Sequence, residues 1–118
     1  MKEFILLLKL NKDHFEHRTE AERQTLMNRS KEYVQKLIQN SAFIDTKPLE
    51  MDGNILTNYN GVIKDAPMAE TKEIIAGYFL IKANSLAEAT EIAKGVPVLL
   101  EGGKVEIRGV QLLKGINS

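Results

Sequence analysis

Hydrophobic positions in this chain change rhythm several times, and each change marks an element. Phe4 to Leu8 is an unbroken apolar run inside Met1 to Leu10, the pattern of a strand covered on both faces. Asn11 to Arg18 is polar, carries both histidines (His14 and His17), and reads as a loop. Thr19-Glu20-Ala21-Glu22 has the capping-box form, a hydroxyl at the N-cap and a carboxylate three residues on. The helix it starts repeats apolar residues at three- and four-residue steps: Leu26, Met27, Tyr33, Val34, Leu37 and Ile38. Ser30 falls in that stripe and suits a close helix–sheet contact. Arg23, Asn28, Lys31, Glu32 and Lys36 form the polar face, and Asn40-Ser41 closes the helix.

Phe43 to Met51 alternates as a strand interrupted at Pro48. Asp52-Gly53 predicts a hairpin turn, with Ile55 to Thr57 as the return strand. Asn60-Gly61 predicts a second turn before a short strand, Val62 to Lys64. Next comes a loop rich in carboxylates, Asp65 to Glu73, and then the apolar strand Ile74 to Ala83. Asn84 or Ser85 caps a second helix, about Leu86 to Lys94, whose apolar face is Leu86, Ala89, Ile92 and Ala93; Gly95 and Pro97 stop it. Gly102-Gly103 is a turn, Val105 to Leu113 a last strand, and Lys114 to Ser118 a frayed tail.

This order predicts an α+β, ferredoxin-like (split βαβ) domain over residues 1–118: an antiparallel sheet with helices on one face and an extra β-hairpin. Phe4 to Leu8 and Ile74 to Ile81 place apolar residues on both sheet faces. Two helices cover one face only. The other is expected to meet another subunit or to enclose an apolar ligand.

Composition narrows the function classes. Acidic and basic residues balance at 16 each, with a formal net charge of zero, so no field favours a nucleic-acid backbone and no nucleic-acid partner is expected. The absence of cysteine excludes disulfides, thiolate metal sites and cysteine nucleophiles. The N-terminal apolar run is too short to span a membrane and lacks a signal-peptide cleavage pattern, so a cytoplasmic protein with no membrane partner is expected.

Asp65-Ala66-Pro67-Met68-Ala69-Glu70-Thr71-Lys72-Glu73, followed by Ala76-Gly77-Tyr78-Phe79-Leu80-Ile81, resembles the DGPF-type branch of the YCII-related family, whose loop reads Asp-Gly-Pro-Phe-Ala-Glu. The resemblance continues through Ser85-Leu86-Ala87-Glu88-Ala89, Ile92-Ala93, Pro97 and Val105-Glu106-Ile107-Arg108. Ala66 stands where the branch has glycine, Met68 where it has phenylalanine, and Ala76-Gly77 where it has Gly-Gly. The resemblance implies a ferredoxin-like subunit that dimerises sheet to sheet, as in dimeric α/β barrels. It further implies action on small organic molecules, with Asp65 matching the aspartate of a His–Asp pair proposed as catalytic in the family. No histidine here stands at a matching place.

Among candidate site residues, Asp65 is either a general acid or base at a strand end or a carboxylate that caps its own turn. His14 is the optional proton shuttle, since imidazole titrates near neutrality. Glu70, Lys72, Arg108 and Tyr78 are the candidate substrate-binding residues, Lys72 or Arg108 serving to anchor an anion. Tyr33 and Tyr59 read as packing residues. His14 and His17 could ligate a metal, but this spacing in a polar loop is the ordinary form of a solvated segment; no metal or cofactor is assigned. Two functions stay open: an enzyme-like homodimer moving a proton on a small, anionic organic molecule, and a non-catalytic small-ligand-binding or dimeric interaction module.

Overall fold

In the computed structural model, which describes residues 1–68 and 72–118, the apolar run Phe4–Leu8 lies in the central strand β1 (Lys2–Asn11). A short helix α1 (Lys12–Glu16) follows, where the sequence predicts loop. Asn11 supplies the reason: its side chain accepts the Asp13 and His14 amides and caps the turn. Helix α2 (Glu20–Gln39) begins at the capping box, with both reciprocal hydrogen bonds formed between Thr19 and Glu22. It closes through Ser41, in the left-handed region at φ 58°. Strand β2 (Phe43–Pro48) comes next, then β3 (Asn54–Tyr59), β4 (Val62–Pro67) and β5 (Glu73–Ala83). Helix α3 (Leu86–Ala93) is capped by Ser85. A 3-10 turn (Pro97–Glu101) and β6 (Lys104–Gly109) complete the order.

Four strands form one sheet in the order β2-β5-β1-β6, every neighbour antiparallel. With the helices this is consistent with a ferredoxin-like α+β fold. The hairpin predicted about Asp52-Gly53 does not form. β2 pairs with β5 instead, and β3 pairs with β4 as a separate two-stranded sheet turning at Asn60-Gly61. Asn60 at φ 51° and Gly61 at φ 84° give that turn the backbone a two-residue connection needs. Asp65 and Ala66, predicted in a loop, lie in β4 opposite Leu56 and Ile55. Ala66 has no positive φ, so the branch's glycine is not required there. Gly77 is required: a Cβ on it would stand 2.7 Å from the Lys47 carbonyl oxygen and 3.1 Å from Pro48 Cα.

The core sits between the helices and one sheet face. Phe4, Leu6 and Leu10 of β1 and Phe79 and Ile81 of β5 meet Tyr33 and Leu37 of α2 and Ala89 and Ala93 of α3. Tyr33 packs edge-on against Phe79 at 5.1 Å and donates its hydroxyl to the Ile92 carbonyl at 2.8 Å. Burial raises that hydroxyl's pKa above its ordinary value. Tyr59 is not a packing residue within the chain; it is 67% exposed.

Candidate functional site

Only the second half of α2 seats fully on the sheet: its buried residues are Tyr33 and Leu37. Toward its N-terminus the helix leaves a cavity of about 550 Å³ between itself and the inner sheet face. Leu8, Leu10, Ala76 and Phe79 form the sheet wall, and Leu26, Met27, Ser30 and Val34 the helix wall. Phe15 and the Val96–Val98 segment complete the lining. Ser30, expected at a close helix–sheet contact, lines this space instead. Small side chains at Ser30 and Ala76 leave the gap that larger ones would fill.

Among the described residues, the charged ones of the lining are Arg18, Arg23, Lys31 and Lys47, with no carboxylate. Three of these cations have carboxylate partners beside the lining: Glu101 for Arg18 at 2.7 Å, Glu20 for Arg23 at 4.0 Å and Asp45 for Lys47 at 4.0 Å. Arg23 and Lys47 have side chains 56% and 67% exposed, which places their charges at the mouth. Arg18 is different. It donates two hydrogen bonds to Glu101, at 2.9 and 2.7 Å, in the planar fork geometry that favours a guanidinium–carboxylate pair. Its guanidinium also lies 4.7 Å from the Phe15 ring centre. His14 Nε2 stands 3.2 Å from the same Glu101 carboxylate. Glu101 thus ties α1 and the following loop, which carries the lining residue Arg18, to the 3-10 turn.

The residues singled out by sequence are scattered by the fold. His14 lines a separate hollow of about 360 Å³ that it shares with Glu101. Asp65 is exposed on β4. Lys72 contributes a backbone carbonyl, which accepts the Lys12 amide at 2.7 Å. Arg108 is exposed on the outer sheet face, opposite Ile5, and Tyr78 on that face donates its hydroxyl to Asp45 at 3.2 Å. None of these lines the 550 Å³ cavity. Glu70 lies outside the described residues. Among the described residues, no cluster of three or more metal-ligating side chains forms, and no helix is long and apolar enough to cross a membrane.

On the outer face Lys9 donates to Glu106 at 2.8 Å. That hydrogen bond and charge lower the Glu106 pKa, with a smaller contribution from Arg108, and raise the Lys9 pKa.

A model of the YCII-related domain matches residues 3–114, nearly the whole chain. The chain belongs to the YCII-related family. A comparison with curated proteins found no match. The sequence features behind the resemblance map onto this family member's structure unevenly. Gly77 and the Val105–Arg108 strand occupy structural positions in the sheet, whereas Asp65 stands away from the cavity.

Sequence reasoning missed Arg18, Arg23, Lys31, Lys47 and Glu101 as site residues. Arg23 and Lys31 read as the solvent face of α2, and no short motif joins them to Lys47. The one usable signal is that Arg23 and Lys31 flank the part of the apolar stripe interrupted by Ser30.

Proposed function

We propose that this YCII-related protein binds a small organic molecule with an apolar body and an anionic end, in the cavity under α2. The observation that carries the reading is the lining: among the described residues, apolar walls with four cationic side chains and no carboxylate. A volume of about 550 Å³ falls in the range of small-molecule sites, roughly 300–1,000 Å³. The apolar walls would take the body, and Arg23, Lys31 and Lys47 would draw the anionic group to the mouth.

The test compares medium-chain carboxylates with alcohols of equal length by calorimetry. Carboxylates should bind and alcohols bind at least tenfold more weakly. Arg23→Gln with Lys31→Gln should remove that preference, and Ala76→Phe should abolish binding by filling the cavity. Equal affinity for acid and alcohol would sink the reading.

The uncovered outer sheet face, with Ile5, Leu7, Tyr78 and Leu80 at its centre, supports a homodimer of the dimeric α/β-barrel type. The Asp65–Glu73 segment supports placement in the DGPF-type branch. A proton-transfer role for Asp65 with His14 is the second reading. It is favoured by one observation: Asp65 stands beside exposed Leu56 and Ile63, so a partner covering that surface would take the carboxylate out of water. Loss of any detected turnover in Asp65→Asn, with dimerisation retained, is the outcome that this second reading requires.

A further inference from the structure

Arg18 differs from the other cations of the cavity in how far it is covered. Its side chain is 9% exposed, against 56% for Arg23 and 67% for Lys47. Its plane is held twice. Nε and Nη2 donate to the two oxygens of Glu101 at 2.9 and 2.7 Å, and the guanidinium lies 4.7 Å from the ring centre of Phe15, which also lines the cavity. The remaining N–H donors, both on Nη1 among them, meet no acceptor among the described residues. Among those residues no buried side-chain nitrogen or oxygen lacks a hydrogen-bond partner, so Nη1 is open to solvent. Arg18 lines the cavity under α2 and neither the 360 Å³ hollow nor one of about 740 Å³ between α2 and α3. Ser30 of the helix wall also has a hydroxyl with no partner among the described residues, although a helical serine commonly bonds the carbonyl four residues back.

We propose that Nη1 of Arg18 reads a second group on the ligand, an uncharged carbonyl oxygen, so that the cavity takes an oxo acid: a carboxylate whose apolar body carries a ketone or aldehyde. The proposal rests on the binding reading above and adds this second polar group to it. Glu101 decides the class. It already meets the charge of Arg18, so a second anion at Nη1 would lie near the Glu101 carboxylate and be repelled. A carbonyl oxygen brings no charge. It loses water on entering apolar walls, and a donor already in place offsets that cost. The fork to Glu101 and the Phe15 ring hold the donor before the ligand arrives, so little ordering entropy is lost on binding. A plain alkyl chain would cover Nη1 and leave its N–H groups unpaired, which penalises that ligand. Arg18 is thus the specificity-determining residue, and Arg23, Lys31 and Lys47 hold the carboxylate.

The test uses the full chain and calorimetry with octanoate, octanol, octanedioate and the isomeric oxooctanoates, their carbonyl at successive carbons. One oxo isomer should bind at least about tenfold more tightly than octanoate, as a hydrogen bond from a charged donor allows, and more tightly than octanedioate. Arg18→Met with Glu101→Met removes the pair without stranding either charge. It should erase the oxo preference and keep the preference for octanoate over octanol. A readout that needs no variant is the infrared carbonyl stretch of the bound, isotope-labelled ketone, which should lie at lower wavenumber than in an alkane. Equal affinity for octanoate and octanol overturns the binding reading and this proposal with it. With the carboxylate preference intact, four results overturn the carbonyl assignment alone: no oxo isomer reaching that margin, octanedioate outbinding them all, an oxo preference that survives in the folded double variant, or an alkane-like stretch.

Discussion

Replacing Glu101 by glutamine tests how the cavity-lining Arg18 is held. The substitution keeps the size of the side chain and one acceptor oxygen, but removes the charge that Arg18 grips with two hydrogen bonds at 2.9 and 2.7 Å. The side chains of Arg18 and Glu101 are 9% and 15% exposed, so the pair is neither a free surface bridge, worth about 0–1 kcal/mol, nor fully buried. Hydrogen bonds to charged groups contribute about 1.5–3 kcal/mol, and one acceptor survives, which puts the expected loss near 1.5 kcal/mol. At about 2.1 cal/mol/K per residue the unfolding entropy is roughly 0.25 kcal/mol/K, so Tm should fall by about 6 °C. Ligand affinity should move the other way. Arg18 lines the cavity, and once freed from Glu101 it becomes a further cation for an anionic ligand. Thermal melting at low salt, beside carboxylate binding by calorimetry, reads both effects. A melt within about 1 °C of the natural protein, or weaker carboxylate binding, would refute the reasoning.

Gly77→Ala should cost about 1–3 kcal/mol by overpacking, because its Cβ would meet the β2 backbone; an unchanged urea midpoint would show that β2 yields freely. Ser41→Gly should raise the urea midpoint by an amount equivalent to about 0.5–1 kcal/mol, since it relieves an L-residue at φ 58°; a lower midpoint would contradict this. The Glu106 carboxyl should titrate below its ordinary 4.5, and Lys9→Met should return it toward that value in a carbon-detected NMR titration. A depressed carboxylate pKa stabilises the fold above the unfolded value and ceases to as pH falls through the folded one; the raised Lys9 pKa stabilises below 10.5 and ceases to as pH rises through its folded value. The bridge therefore contributes between about pH 4.5 and 10.5, and a Glu106 midpoint unmoved by Lys9→Met would discount it.

Local chemistry was legible in the sequence. Thr19 and Glu22 announce the start of α2 because a capping box closes within four residues. Ser85 and Gly95 with Pro97 bound α3 for the same short-range reason, and the apolar runs Phe4–Leu8 and Ile74–Ile81 identify the two central strands. Even the uncovered sheet face follows from counting apolar residues against the helices available to cover them. Periodicity and capping are interactions between residues a few positions apart, so the chain states them directly.

Pairing and enclosure are different. Whether β2 turns back on β3 or pairs with β5 depends on competing partners. The turn signal at Asp52-Gly53 was outweighed by the register of Phe43–Pro48 against Gly77–Ile81, where Gly77 admits the β2 backbone. The same choice released β3 to pair with β4 and put Asp65 on an exposed ribbon. Arg18 and Glu101 meet across 83 positions, and the cavity arises where α2 lifts from the sheet between Ser30 and Ala76. By itself the sequence determined the long elements and the apolar character of both sheet faces. Only the tertiary structure decided which strands pair and which charges face the cavity, because those contacts form between segments that the chain's local rules leave independent.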